Sequence, residues 1–212
     1  MQVVRNGMDF IIIPEVHRRT LVWIHGYGDT GELFCDDFFK EPLIADCKVI
    51  LPTAEEKKVS PHSNEKVRSW YERKGSFKYN NSIENSVERI NSILREESKH
   101  TDCLMIGGFS QGAVMSLYCG LCRYEGPIKA IIALSGFAIP MEIPQNKLST
   151  PVLLYHGAQD NRIALNDSVK TIEKHLKGVN YHLEVHPRMP HEVYLEEYDF
   201  IRNWLRTTLN IT

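Results

Sequence analysis

Long apolar runs are missing from this sequence, and so is any segment with the features of a secretory signal. No stretch of 18 or more apolar residues occurs. Residues 1–13 lack a positively charged segment followed by a long apolar one. Neither a signal peptide nor a membrane span is therefore predicted, and we expect no stable insertion into membranes.

An excess of charge of one sign is also missing. The 212 residues include 25 Lys and Arg against 27 Asp and Glu, which gives a net charge of −2 at pH 7 with neutral histidines. A nearly balanced chain has no general attraction to a phosphate backbone. The sequence therefore predicts no nucleic-acid partner.

Cysteine is too scarce and too irregularly spaced for a disulfide framework. The five cysteines are an odd number, and three lie in apolar segments, where a free thiol behaves as a small hydrophobic group. This usage favours a reducing compartment, and we expect a cytoplasmic location. Cys119 and Cys122 have C-x-x-C spacing, but they fall inside a predicted helix rather than at a helix start, which disfavours a redox or metal role.

Motifs for metals and phosphates are absent as well. The chain has no H-E-x-x-H and no clustered set of Cys and His, so no catalytic metal is expected. It has neither G-x-x-x-x-G-K-[ST] nor a complete G-x-G-x-x-G in its glycine-rich 25–31 segment, which disfavours a phosphate cradle there. We expect an enzyme or a binding protein that uses no cofactor.

Apolar strands alternate with amphipathic helices along most of the chain. Its length and its 42% hydrophobic content predict one α/β domain over residues 1–212. Continuous apolar strands in repeated βα units indicate a mostly parallel sheet with helices on both faces and no cap domain. Segments 10–13 and 20–24 are predicted to pair as an edge hairpin, and 53–79 is the longest loop-like segment.

A serine lies between a predicted strand and a predicted helix. Residues 103–106 form an apolar run, Gly108-Phe109-Ser110-Gln111-Gly112 follows, and apolar residues then recur at helical spacing. In a G-x-S-x-G nucleophile elbow the glycines allow close packing of strand and helix around a strained serine. This context predicts that Ser110 is a nucleophile, whereas the pentapeptide alone also fits an ordinary glycine-rich turn.

A serine nucleophile needs a histidine base and an acid, which should follow it on loops after later strands. Asp160 comes just after the strand predicted at 151–156; the alternative is an ordinary turn or helix N-cap role, which Asn161 or Asp167 could fill equally well. His191 follows the strand at 181–185. His182 and His186 compete with it, but they belong to the strand itself, so we predict Asp160 as the acid and His191 as the base.

The oxyanion of an acyl transfer also needs two backbone donors. One is normally the N–H after the nucleophile, here that of Gln111, and the other comes from a loop after an earlier strand. The glycine-rich turn that follows the strand at 20–24 can bring a second amide close, and we predict Tyr27 as that donor.

Together these motifs resemble those of the acyl-protein thioesterase and small carboxylesterase family of α/β hydrolases. The likeness runs through nearly the whole chain in order. It is carried by residues 25–31, 69–71, 107–112, 156–160 and 189–191. The resemblance implies a cofactor-free cytosolic α/β hydrolase that cleaves carboxylic esters and S-acyl cysteine thioesters. It also implies the same triad and oxyanion donors, and we further predict substrate contacts at Trp70 and Phe137.

Two features depart from this family pattern. Tyr27 stands where the family usually has Leu, which a backbone donor tolerates. Residues 59–67 are polar where the thioesterases tend to have a more apolar loop over the acyl chain. Burial of each CH₂ contributes about 0.8 kcal/mol, so a polar loop there favours short and medium acyl chains.

The sequence therefore predicts a serine hydrolase that acts on small acyl esters or S-acylated proteins, with lysophospholipids as a further ester class. The alternative is a noncatalytic module that keeps the hydrolase fold to bind a ligand. A complete set of nucleophile, base and acid favours the enzyme, because a binding module does not need the three together. Oligomeric state is not predicted.

Overall fold

One twisted sheet of eight strands forms the centre of the molecule. The computed structural model describes residues 1–58, 64–72 and 82–211. The ten strands in these ranges are β1 (Gln2–Asn6), β2 (Asp9–Ile13), β3 (Arg19–Ile24), β4 (Cys47–Leu51), β5 (Glu56–Lys58), β6 (Lys66–Arg68), β7 (Cys103–Phe109), β8 (Ala130–Leu134), β9 (Val152–Gly157) and β10 (Tyr181–His186). In the large sheet their order is β1-β2-β4-β3-β7-β8-β9-β10.

Strand β2 runs antiparallel to both β1 and β4, whereas the strands from β4 to β10 in this order are parallel. The carboxyl ends of the parallel strands therefore lie at one edge of the sheet. The helices are α1 (Cys35–Lys40), α2 (Ser82–Glu97), α3 (Gln111–Tyr118), α4 (Leu165–His175) and α5 (Leu195–Thr208). In the described ranges no helix is both long and apolar enough to span a bilayer.

Two hydrophobic clusters lie on opposite faces of the sheet. Strand residues alternate between them, as in β3, where Val22 and Ile24 join one cluster and Leu21 and Trp23 join the other. The first cluster packs against α2, α3 and α4, and the second packs against α1 and α5. Strands buried on both faces must be apolar along their whole length. The predicted α/β architecture, with a mostly parallel sheet between helices, is thereby confirmed.

The predicted edge hairpin between 10–13 and 20–24 is wrong. Strand β2 forms its hairpin with β1, a strand that the sequence reading missed, and β4 lies between β2 and β3. Asn6 pairs with Asp9 around a two-residue turn in which Gly7 has φ 62°. Glycine at the first position of a two-residue loop is a hairpin signal, and Gly7 could have located this turn.

Segment 53–79 is not entirely loop. Within its described part, β5 and β6 form a small antiparallel sheet in which Glu56 is opposite Arg68 and Lys58 is opposite Lys66. The strands have only three residues each and carry charged side chains, so they lack the apolar periodicity by which a strand is detected. Most of the polar loop at 59–67, namely residues 59–63, lies outside the described residues.

Candidate active site

Ser110 occupies a sharp turn between β7 and α3. Its backbone has φ 55° and ψ −114°, which is costly for a residue with a side chain. Gly108 and Gly112 permit this turn, because a Cβ on either one would strike the backbone carbonyl of Ile24 on the neighbouring strand β3. The strand, the strained serine and the helix follow one another as the sequence predicts.

The structure brings Ser110, His191 and Asp160 into one hydrogen-bonded row. His191 Nε2 lies 2.8 Å from Ser110 Oγ, and His191 Nδ1 lies 2.6 Å from Asp160 Oδ2. An ionised carboxylate only accepts hydrogen bonds, so the ring proton belongs on Nδ1 and Nε2 faces the hydroxyl as an acceptor. The side chains of His191 and Asp160 are 7% and 0% exposed, so this row is largely shielded from water.

The acid is fixed by its own loop. Asp160 follows β9, and its Oδ1 accepts the backbone N–H groups of Arg162 and Ile163 at 2.9 and 2.8 Å. This local turn leaves Oδ2 for the histidine. Asn161 and Asp167, the other polar residues considered in this segment, are both exposed.

The competing histidines lie elsewhere. His182 is stacked on Phe200 and His186 packs edge-on against Tyr194, both on the surface that β10 shares with the start and middle of α5. The histidine that reaches the serine is His191, which lies beyond the end of the strand. Residues of a strand are held in the sheet, whereas a loop residue can turn towards the serine at the carboxyl edge.

A second histidine, His156, touches the same carboxylate, and the sequence reading assigned it no role. Its ring is buried at the end of β9, where Nε2 lies 2.8 Å from the carbonyl oxygen of Ile163 and 3.3 Å from Asp160 Oδ2. Burial is the largest effect on its pKa and lowers it. The neutral ring therefore joins the end of β9 to Ile163 by a hydrogen bond and so holds the loop that carries Asp160. The sequence feature that could have indicated this role is the position of the His156-Gly157 pair shortly before Asp160.

The loop after β3 passes directly beside the serine. A Cβ on Gly26 would lie 3.5 Å from Ser110 Cβ, and Tyr27 lines the same cavity with its side chain 48% exposed. His25, which precedes them, is completely buried, and its Nε2 lies 2.9 Å from the backbone nitrogen of Ala54. Burial lowers the pKa of His25 to about 4, so this ring is neutral at physiological pH.

Trp70, one of the two predicted substrate contacts, is not among the residues that line the cavity. The indole is 0% exposed within the core, and its Nε1–H donates to the carbonyl oxygen of His25 at 2.9 Å. An aromatic side chain next to polar residues resembles a binding contact in sequence. Here its buried hydrogen bond supports the loop that follows β3. Phe137, the other predicted contact, does line the cavity.

The side chain of Gln111 joins the start of α3 to segment 69–71. Its Oε1 accepts the backbone N–H of Trp70 at 2.8 Å, and its Nε2 donates to the carbonyl oxygen of Tyr71 at 2.8 Å and to Ser69 Oγ at 3.0 Å. This buried amide is fully used by protein partners. The side chain of Gln111 therefore has a structural role, in addition to the predicted role of its backbone N–H as an oxyanion donor.

These elements surround an open cavity of about 1340 Å³ at the carboxyl edge of the sheet. Ser110 lies in its wall. Asp29 also lines it, and burial raises the pKa of this carboxyl, an effect that Arg162 and His191 partly oppose. The described apolar lining residues are Tyr27, Leu33, Phe34, Tyr71, Phe109, Phe137, Ile163 and Val193. The described charged lining residues are Asp29, Asp37, Lys57, Lys58, Glu72, Arg162 and Glu192.

The cysteines take no part in this site. All five are free, and burial raises the pKa of the Cys119 thiol as well as that of Cys122. A thiol with a raised pKa is a poor nucleophile and a poor metal ligand at neutral pH. The C-x-x-C pair forms part of the helical turn that continues α3.

The strand order around β2 and the strained serine between β7 and α3 place this protein among the α/β hydrolases. Comparison with known proteins narrows the class. The family profile described as Phospholipase/Carboxylesterase matches residues 6–209, and the chain belongs to this family. The predicted family and the predicted class of enzyme, a hydrolase of esters or thioesters, are thereby confirmed.

Curated relatives and solved structures agree with this assignment. Acyl-protein thioesterase 1 of Yarrowia lipolytica is 29% identical over 213 residues, which cover 91% of this chain and 93% of that protein. The protein of the same name from Neurospora crassa is 28% identical, with 94% and 91% covered. The crystal structure of Zea mays acyl-protein thioesterase 2 superposes with a TM-score of 0.84 at 24% identity, covering 96% of this chain and 100% of that one. This last likeness supports the fold.

Proposed function

We propose that the protein is a cytoplasmic serine hydrolase that cleaves acyl esters, including lysophospholipids, or S-acyl thioesters of proteins, through an acyl-enzyme on Ser110. The observation that carries this proposal is the row from Ser110 Oγ through His191 to Asp160, with contacts of 2.8 and 2.6 Å. A hydroxyl at this distance from a neutral imidazole can lose its proton as it attacks a carbonyl.

In the acylation step, His191 Nε2 takes the proton of Ser110 Oγ while the oxygen attacks the acyl carbon. Asp160 holds the ring in the tautomer that can accept this proton and stabilises the charged imidazolium. The imidazolium then protonates the leaving alcohol or thiol, and the carbon–oxygen or carbon–sulfur bond breaks. Water attacks the acyl-enzyme by the reverse transfers and releases the carboxylic acid and free Ser110.

The negative charge of the tetrahedral intermediate needs donors on the other side of Ser110. We assign this role to the backbone N–H groups of Tyr27 and Gln111. Neither donates a hydrogen bond to another backbone group in the described part of the chain, and both residues line the cavity beside the serine. Preorganised donors of this kind contribute a factor of about 10² to 10³ each to kcat.

A fluorophosphonate probe tests the proposal directly. Because the elbow activates Ser110, the probe should label this residue alone, as mapped by peptide mass spectrometry, and Ser110→Ala should abolish labelling. Ser135 provides a matched control, because it also has positive φ, at 49°, but is completely buried. Ser135→Ala should keep the label. A folded wild-type protein that reacts nowhere would instead favour the noncatalytic binding module.

The range of substrates follows from the lining of the cavity. Charged side chains lie among its apolar ones, so a longer acyl chain gains less burial than it would in a wholly apolar channel. We expect kcat/KM on p-nitrophenyl esters to rise by about fourfold per methylene up to medium chains and then to level. A rise that continues to sixteen carbons, below the micellar concentration, would point to long-chain acyl substrates instead.

A further inference from the structure

The protonation state of His25 follows from its hydrogen bonds. Its Nε2 lies 2.9 Å from the backbone nitrogen of Ala54 and accepts that N–H, so Nε2 carries no proton. The neutral ring must then carry its proton on Nδ1, which lies 2.6 Å from the carbonyl oxygen of Gly26. The ring is completely buried, which preserves this neutral tautomer.

The acceptor of that proton belongs to the peptide unit that also contains the N–H of Tyr27. A trans peptide is planar, so the C=O of Gly26 and the N–H of Tyr27 point in opposite directions. No cis peptide is present in the described residues. A hydrogen bond that holds the Gly26 oxygen therefore also fixes the direction of the Tyr27 N–H, and it polarises that N–H as a donor.

The His25 ring itself has little freedom. The indole of Trp70 packs against it with ring centroids 5.0 Å apart and donates to the His25 carbonyl. On the far side of the loop, the N–H of Gly28 donates to the carbonyl oxygen of Arg68 in β6 at 2.9 Å. The peptide between Gly26 and Tyr27 thus lies between two anchored neighbours. Its oxygen accepts a long turn hydrogen bond from the N–H of Asp29 at 3.3 Å and the shorter one from His25 Nδ1, which is its side-chain donor.

We infer that His25 is a positioning residue, which aims the backbone N–H of Tyr27 at the oxyanion through its Nδ1–H bond to Gly26. This inference rests on the function proposed above and assigns a role to a residue outside the triad and the two backbone donors. His25 touches no reacting atom. Its effect is exerted on the transition state, because the oxyanion develops only when the serine attacks.

Two substitutions separate this role from simple support of the loop. His25→Asn places an amide nitrogen near the position of Nδ1 and keeps the donor to Gly26, whereas His25→Gln places an oxygen near the position of Nε2 and keeps the acceptor for Ala54. Each loses one buried hydrogen bond, so both should lower Tm. We expect His25→Gln to lose about 10- to 100-fold in kcat with little change in KM, and His25→Asn to stay within about threefold.

Affinity for a trifluoromethyl ketone, which forms an oxyanion on Ser110, should fall in parallel with kcat in His25→Gln. Leu94→Ala creates a cavity in the buried face of α2. It serves as a control that lowers Tm without changing kcat. If His25→Asn and His25→Gln lose kcat equally, or if kcat follows Tm through all three variants, His25 is merely structural and the inference is wrong.

Nitrogen-15 NMR of the wild-type ring gives a test that needs no variant to fold. It should show a protonated Nδ1 and an unprotonated Nε2 throughout the neutral range, and a proton on Nε2 would overturn the inference. Failure of the underlying function looks different. A wild-type protein without ester turnover and without probe labelling rejects the proposed function, whereas an active enzyme with equal His25 variants rejects this inference alone.

Discussion

The two sides of Ser110 are held in place by different means. On one side, Asp160 and His191 stand on loops that leave adjacent parallel strands, and the acid is fixed by backbone N–H groups two and three residues further along its own chain. On the other side, the loop with Tyr27 is held by side chains from distant segments. Ala54 and Trp70 contact His25, and Gln111 in turn holds Trp70.

This difference predicts different effects for substitutions on the two sides of Ser110. The triad side contains the groups that we propose exchange protons, and its geometry follows from the strands on which its loops begin. In this proposal the oxyanion side contributes backbone N–H groups, so its side chains act only by orienting those groups. Substitutions on the first side should therefore remove activity outright, and those on the second should reduce it in proportion to the loss of alignment.

The largest effect is expected on the triad side. Ser110→Ala, His191→Ala and Asp160→Asn should each lower kcat by about 10⁴-fold or more with the fold intact by circular dichroism, because the three act as a unit. His186→Ala is the matched control, since its ring packs on Tyr194. Loss of activity in this control would identify a different base.

A smaller effect on kcat is expected from the side chain of Gln111, which supports the oxyanion side. Gln111→Ala keeps the backbone N–H but removes the acceptor of the Trp70 N–H and one donor to the C=O of Tyr71, which still accepts the hydroxyl of Ser69 at 2.7 Å. We expect the free energy of unfolding to fall by about 2–4 kcal/mol and kcat to fall by about tenfold. Urea titration and steady-state kinetics measure the two. The exposed Gln145 gives a control, because Gln145→Ala should change stability by less than about 0.5 kcal/mol.

A pH effect on stability is expected from Glu197, which follows the loop that carries His191. Glu197 is fully buried at the start of α5, where one oxygen accepts the N–H of Tyr194 at 2.9 Å and the other has no partner in the described residues. Burial raises the pKa of this carboxyl to about 8. The folded state therefore binds a proton more tightly than the unfolded state does, and stability is lost as pH rises from the ordinary carboxyl pKa towards 8.

The loss contributed by Glu197 is at most about 1.4 kcal/mol per pH unit in that window. Glu197→Gln keeps an acceptor for Tyr194 and cannot ionise, so its stability relative to the wild type should increase from pH 5 to pH 8. Glu196→Gln, at the exposed neighbouring position, should leave the pH dependence unchanged. Parallel stability curves for the wild type and Glu197→Gln would show that the carboxyl is ionised in the folded protein at low pH.

The smallest effect is expected from the side chain of Tyr27. It is half exposed, and the proposed donor is its backbone N–H, which Tyr27→Leu retains. We expect kcat on a short p-nitrophenyl ester to change by less than about twofold. A tenfold loss would mean that the phenol, rather than the backbone, acts on the substrate, and would remove the contrast between the two sides of the site.

Local sequence was sufficient for the triad side. Continuous apolar runs specify strands buried on both faces, and G-x-S-x-G specifies a turn in which glycines permit close packing. The order of Ser110, Asp160 and His191 along the chain then places their loops at one edge of a parallel sheet. The sequence thus determined the architecture and these three positions, because strand direction alone brings such loops together.

Tertiary structure decided what pairs over long distances. The sequence could not show that β4 rather than β3 lies beside β2, because both of these strands are apolar enough to fit there. Nor could it show that Trp70 is buried against His25, or that His25 accepts the N–H of Ala54 29 residues away. Hydrogen bonds between remote segments have no periodicity that a sequence can display, and they exist only after the sheet has brought those segments together.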